Sequence, residues 1–550
     1  MIALLAALAA RAEVTFLPVE SVAAFPDAVA PNALQYACAS NLNELETLFR
    51  ERGLLLSQEL IYSTKQYAVC HIYYEPTVPG YRASPESRPI QGLYVAVDPL
   101  SFIVRTEPNG DSLSIAKQAL PLIDRPLDVT LSIPGGFDPE LWPGALAFHF
   151  GESKHRFQMR KSGSSSSHPW AQDHQKAGEV DGRLCILVPR RIFEGRRDDG
   201  ETFGPMLDRL DDPVFTRSKL SWEGGDIQFT TDPRNPERLV LMHGGVGRYY
   251  WGLGLTPAES SYVLTAEFGA DLAIDLTPTS MHADYAAMAL PKGGVVLVSR
   301  STGNDPDLFL AAAGVIERLF GARPPPAWLD FRRFLETWDK DLATAAGPLR
   351  GLIRGVARSL PSYEYPEDPE LERNLTAYVG EQCGGDPTSC FGGPGKNAML
   401  ERAPDLLRRS SNQSAAIALF DLAAERMLGV MEAQLPREAS PRELALEGVA
   451  ETFEKLGFRV IRVPYIYAPK LHDAWPGVAY VNSLVDGDRI FMPALGLGRL
   501  ETEMFADIQQ QLGPDYQVIP VNAWASVLSN GGVHCVFGIV RAPSGGGGTH

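Results

Sequence analysis

Cys535 ends the run Gly531-Gly-Val-His534-Cys535, and a thiol behind a glycine pair at a strand start would hold an accessible sulfur. Three other short runs gather acids and an imidazole. They are Trp170-Ala-Gln-Asp173, Glu223-Gly-Gly-Asp226 preceded by Trp222, and His282-Ala-Asp284. Taken singly, each has a structural reading. Trp170 and Asp173 could be a packed aromatic and a turn acid. The glycine pair could mark a tight turn, and a lone cysteine is commonly a small buried hydrophobe. His282 and Asp284, two apart on an expected strand, would share one face. Together they supply a soft nucleophile, a proton carrier and carboxylates able to grip a planar cation through paired hydrogen bonds. That inventory matches attack on the carbon of a guanidinium, which is cationic and a poor electrophile.

The elements that must position these groups are legible in part. The hydrophobic fraction of 45% over 550 residues suffices for a packed core, and 21% charge is not a disordered composition. The formal charge of -17 disfavours nucleic acid and anionic membranes as partners. Six cysteines, Cys38, Cys70, Cys185, Cys383, Cys390 and Cys535, form neither a disulfide framework nor a zinc pattern. Cys383 and Cys390 could pair locally. Met1 to Ala12 is apolar but short and lacks a basic start. A cytoplasmic location is the expectation, with secretion the alternative if this stretch belongs to a signal peptide. No run long enough for a membrane span follows it.

Residues 1–115 read as an accessory α/β or β-rich region, with a helical pattern at Asn43 to Leu54 and strands at Ala68 to Tyr74 and Gly92 to Val97. Residues 116–545 read as the catalytic domain, with 359–395, rich in Pro, Gly and acids, as an insertion. Its Gly392-Gly393-Pro394-Gly395-Lys396 run does not fit a phosphate loop. Hairpins are expected at Asp226 to Thr230 with Arg238 to Met242, at Tyr285 to Leu290 with Val295 to Ser299, and at Val478 to Val485 with Arg489 to Met492. Helices are expected at Asp307 to Phe320, Asp330 to Ala345, Arg442 to Leu456 and Glu501 to Leu512. The last two end at Gly457 and Gly513 and lead into strands at Arg459 to Val463 and Gln517 to Val521. This recurrence suggests an internal repeat.

The four motifs, in this order, resemble those of the guanidine-modifying enzymes, the pentein superfamily, over roughly Pro134 to Ala542. Glu223-Gly-Gly-Asp226 is similar to the second motif of arginine deiminases. Trp170-Ala-Gln-Asp173 resembles the Trp-x-x-Asp of agmatine and peptidylarginine deiminases. His282-Ala-Asp284 resembles the superfamily's His-x-Asp, and Gly-Gly-Val-His-Cys535 resembles the agmatine deiminase cysteine motif. Phe215-Thr-Arg-Ser218 only echoes an arginine deiminase Phe-Thr-Arg-Asp and is set aside.

The resemblance implies an α/β fold, a propeller of five modules around a central site. It also implies deimination, with protein-bound arginine the favoured substrate and agmatine or free arginine the alternative. Amidine transfer, or non-catalytic guanidinium binding, stays open. Asp173 and Asp284 would clamp the cation, with Trp170 and Asp226 also lining it. Cys535 would attack, and His282 would carry protons, oriented by Glu223 or else by Asp226. His534 is expected to point away as a structural histidine. No cofactor or metal is implied, and calcium dependence is not carried over. Acids around the thiol should raise its pKa until the cationic substrate binds.

Overall fold

The computed structural model describes residues 15–18, 34–39, 69–74, 76–97, 111–133, 143–161, 171–190, 213–244, 257–279, 282–291, 294–301, 324–337, 342–360, 441–466, 478–496, 499–523 and 531–542, with scattered positions between 309 and 317, between 417 and 427 and at 526–527. Trp170, Cys383, Cys390, the helix expected at 43–54 and the insertion beyond residue 360 lie outside them.

The described chain is mixed α/β with several sheets. Thr15–Pro18, Leu34–Ala39 and Val69–Tyr74 form an antiparallel sheet in sequence order. Each of the other five sheets contains one strand antiparallel to a second, which is parallel to a third. The five sets are Phe537–Arg541, Ile90–Ala96 and Asp128–Ile133; Lys176–Val180, Arg183–Val188 and Val214–Arg217; Ile227–Asp232, Asn235–His243 and Leu272–Asp275; Ala287–Ala289, Val295–Ser301 and Arg459–Ile466; and Leu484–Asp486, Arg489–Ala494 and Gln517–Asn522.

A parallel pair needs a crossover, usually a helix. Ser112–Ala119, Pro257–Phe268 and Arg499–Leu512 serve the first, third and fifth sheets. Pro326–Thr337, Leu342–Ser359 and Pro441–Leu456 lie within the crossover of the fourth. Strands covered on both faces read as continuous apolar runs; Val240, Leu241 and Met242 are fully buried. Gly457 and Gly513 follow their helices at φ +94° and +73°, a left-handed conformation that glycine adopts without a Cβ clash.

Several expectations shift. Ile90–Ala96 pairs with strands at 128 and 537, so sheet pairing crosses the expected boundary at residue 115. The helix expected from Asp330 to Ala345 is two helices, Pro326–Thr337 and Leu342–Ser359. The strand expected from Val478 to Val485 is split, because Val478–Ala479 pairs with Arg459–Ile466 while Leu484–Asp486 begins the next hairpin. His282 and Asp284 are not on a strand. His282 is extended at φ -56° and ψ 147°, and Ala283–Ala286 is a helical turn ahead of Ala287–Ala289. Cys535 also lies on a helical turn, Val533–Val536, ahead of its strand. Apolar alternation registered the strands but missed the turns that precede them.

Candidate active site

Those turns build the site. The antiparallel first strand of each of the five sheets is entered through a tight turn, and the turns carry the motif residues. Ala171–His174 brings Asp173, and Gly224–Asp226 brings Asp226 with Glu223 just ahead. Ala283–Ala286 brings Asp284 with His282 just ahead, and Val533–Val536 brings Cys535. The turn before Leu484–Asp486 brings Asn482, which no motif singled out. It closes through Asn482 N donating to the Ala479 carbonyl at 3.1 Å and Ser483 N to Val481 at 2.7 Å.

Gly225 marks where three of the turns meet. A Cβ there would lie 2.9 Å from His282 Nδ1, 3.1 Å from Asp173 Oδ1 and 3.2 Å from Asp284 Oδ2. Its N–H donates to Asp173 Oδ1 at 2.9 Å. The glycine pair is therefore a close approach of backbone to the acids. Gly224 is equally confined, since a Cβ on it would fall 1.9 Å from the Gln172 carbonyl oxygen.

Around Cys535, Asp284, Asn482 and His534 are all buried. Its Sγ lies 3.4 Å from Asp284 Oδ2 and accepts from Asn482 Nδ2 at 3.1 Å. His534 Nδ1 sits 2.9 Å from Asp284 Oδ2, so this histidine backs the carboxylate, where the sequence suggested that it would point away. Asp284 Oδ1 is buried and finds no hydrogen-bond partner among the described residues. A carboxylate oxygen so desolvated is costly unless a donor arrives. Cys535 itself is 4% exposed, against the accessible sulfur the sequence suggested, because the helical turn tucks it beneath the neighbouring turns. Burial, then Asp284 and Asp173, pushes the thiol pKa well up, the direction expected for a thiol among acids; hydrogen bonds from Gly532 and Asn482 oppose this.

The other side is open. The His282 and Glu223 side chains are 36% and 19% exposed, and His282 Nε2 lies 3.1 Å from Glu223 Oε2 and 3.8 Å from Asp226 Oδ1. Burial works against the imidazolium, but Asp226 and then Glu223 hold its pKa well above the ordinary histidine value. Burial, helped by Glu223, Asp173 and Asp284, pushes Asp226 up to about 7 against the pull of His282. One ligand atom each from Asp173, Glu223 and His282 lies within 4.8 Å of the others, a donor set that could also hold a metal ion.

Beneath the acids lies Lys176, 5% exposed, which sequence reasoning also missed. Burial lowers its pKa to about 8 despite the support of Glu86, Asp284 and Asp173. In the amide orientation that satisfies its neighbours, Gln172 accepts from Lys176 Nζ at 2.8 Å and donates to the Phe537 carbonyl at 2.7 Å. Glu86 is ion-paired with Arg541, which also donates to the Arg88 carbonyl at 2.6 Å. The structure thus brings together Asp173, Glu223, Asp226, His282, Asp284 and Cys535.

No protein-family model and no curated protein matches the chain. Among solved structures it resembles an agmatine deiminase from C. jejuni, at 12% identity over 84% of this chain and 96% of that one, with TM-score 0.45. It also resembles the agmatine deiminase of Enterococcus faecalis (10% identity, 84% and 96% covered, TM-score 0.41). A third neighbour is a dimethylarginine dimethylaminohydrolase (11% identity, 82% and 99% covered, TM-score 0.32). These neighbours are pentein superfamily members, the group whose motifs the sequence resembles. The functional reading rests on the side chains.

Proposed function

We propose that this chain is a hydrolase that deiminates an arginine-type guanidinium through a covalent Cys535 intermediate, with the five repeated sheets as modules of a propeller around the site. The observation that carries the reading is the orphaned Oδ1 of Asp284. It belongs to a buried carboxylate whose other oxygen lies 3.4 Å from the Cys535 sulfur and which meets Asp173 and the raised-pKa imidazole of His282 around Gly225. A planar cation would satisfy that oxygen, and its positive charge would offset the acids that hold the thiol protonated.

Asp284 and Asp173 grip the guanidinium, with Asp226 lining it beside His282. The cation's arrival lowers the thiol pKa, and the proton leaves to solvent. The thiolate adds to the carbon. A C–N bond breaks as the His282 imidazolium gives its proton to the departing nitrogen, which leaves as ammonia. An S-alkylthiouronium remains on Cys535. His282, oriented by Glu223, then takes a proton from water as the oxygen adds to the carbon. The C–S bond breaks with its electron pair on sulfur, the hydroxyl proton passes to that sulfur to restore the thiol, and the ureido product is released. Because Asp226 and Glu223 favour its imidazolium form, His282 can act first as acid and then as base.

Protein-bound arginine is the first substrate to try, supported by the additional three-stranded sheet ahead of the repeated ones. Agmatine and free arginine present the same head group to the same clamp.

The test measures ureido product and ammonia with a benzoyl-arginine ester, an arginine peptide, arginine and agmatine in parallel, for the wild type and Cys535→Ala. Turnover of at least one substrate is expected, with a loss on the order of 10⁴-fold or more in the variant. Wild type inert toward all four would sink the proposal. Turnover of agmatine alone would move the substrate from protein to small molecule.

A further inference from the structure

We propose that Asn482 belongs to the reaction centre. Its carboxamide oxygen holds the Cys535 turn, and its carboxamide nitrogen stabilises the sulfur as thiolate. The inference rests on Cys535 being the nucleophile.

The orientation of this amide is dictated by its surroundings. Asn482 Oδ1 accepts from His534 N at 3.1 Å and from Cys535 N at 3.3 Å. Two backbone N–H groups cannot face an amide NH₂, so the oxygen must lie toward the turn. Nδ2 is thereby aimed at Cys535 Sγ, 3.1 Å away. The main chain repeats the tie, since the Asn482 carbonyl accepts from Val533 N at 3.0 Å and His534 N at 3.2 Å. Asn482 is fully buried, so water does not compete for its donor.

Gly532 completes the fit, because a Cβ there would fall 2.4 Å from Asn482 Oδ1 and 2.7 Å from its Cβ. The sulfur thus sits between a donor, Asn482, and an acceptor, Asp284 Oδ2 at 3.4 Å. The neutral thiol can donate to the carboxylate. The thiolate can accept from the amide, and a charged acceptor makes the stronger bond. When a cation occupies Asp284, the balance passes to the amide.

The experiment reads the rate of iodoacetamide modification of Cys535 against pH, by peptide mass mapping, in the full chain and in Asn482→Asp and Asn482→Ala. Melting curves identify which variants fold. Asn482→Asp keeps the acceptor for the turn and removes the donor, and Asn482→Ala removes both. Either folded variant should shift the profile to higher pH, with modification about tenfold slower on its rising limb. On turnover, kcat should fall more than KM rises. A profile unmoved in every folded variant overturns the proposal. In the unmutated protein, the side-chain amide resonance of selectively labelled Asn482 should shift over the pH interval in which modification rises. An amide indifferent to that titration overturns it too, whether or not the variants fold. Modification needs no substrate. Wild type that turns over no guanidinium therefore defeats the proposed function alone, and an unmoved profile in an active enzyme defeats the role of Asn482 alone.

Discussion

On one side of the site, Cys535, Asp284, His534 and Asn482 are each at most 4% exposed and are tied to one another by hydrogen bonds. On the other, His282 and Glu223 remain partly open to solvent and lie 3.1 Å apart. The contrast follows from what each must do. A nucleophile gains from desolvation and a fixed approach line, because a displacement of about 1 Å can cost about a hundredfold. A group that gives a proton to ammonia and takes one from water must stay within reach of both. The buried side stores electrostatic cost in the thiol; on the open side Asp226 and Glu223 favour the imidazolium.

Three substitutions test this division. Asp284→Asn should have the largest effect and should split the two properties of the buried side. It removes an anionic arm of the clamp, so kcat/KM falls on the order of a hundred- to a thousandfold. It also removes a charge that raises the thiol pKa, so alkylation of the empty enzyme at neutral pH becomes faster. Steady-state kinetics beside iodoacetamide rates check both signs. Slower alkylation would mean that Asp284 serves as the thiol's base and not as its electrostatic burden.

Gly225→Ala strikes the point where the sides meet. The new Cβ would press on His282 Nδ1, Asp173 and Asp284 at once. A loss of about a hundredfold in kcat/KM is expected, with the alkylation profile changed far less, since the three atoms nearest the new Cβ belong to His282, Asp173 and Asp284 and not to Cys535. A profile displaced as far as in the Asn482 variants would show that the two sides are one rigid unit.

Asp226→Asn should have the smallest effect on activity and a visible one on stability. The folded pKa of about 7 lies above the unfolded value. Protonated Asp226 therefore favours folding below the unfolded pKa, and that contribution is lost as pH rises through about 7. Asparagine should leave the melting temperature nearly unchanged near pH 4 and raise it increasingly up to pH 8. A gain that is constant with pH would place the strain elsewhere. The rate profile should lose any inflection that Asp226 imposes near neutral pH.

The sequence was most informative where chemistry depends on residue type. Cysteine, imidazole and carboxylates in four short runs name a reaction before any contact is known. Strand pairs such as Ile227–Asp232 with Asn235–His243 were visible because buried strands must be apolar. The entry turns were not, since three- or four-residue helical turns leave no periodicity. That is why His282 and Asp284 read as a strand, and why Asn482 was lost inside one. His534 carried no local signal, because its partner Asp284 lies 250 positions away.

What the sequence alone determined is the set of reactive groups and their order along the chain, because these are properties of side chains. What the tertiary structure decided is their mutual geometry. It sets which oxygen of Asp284 is left without a donor, which way the Asn482 amide faces, and that the thiol is buried while the imidazole is not. Desolvation and hydrogen-bond direction exist only once segments hundreds of residues apart have closed around the same small volume.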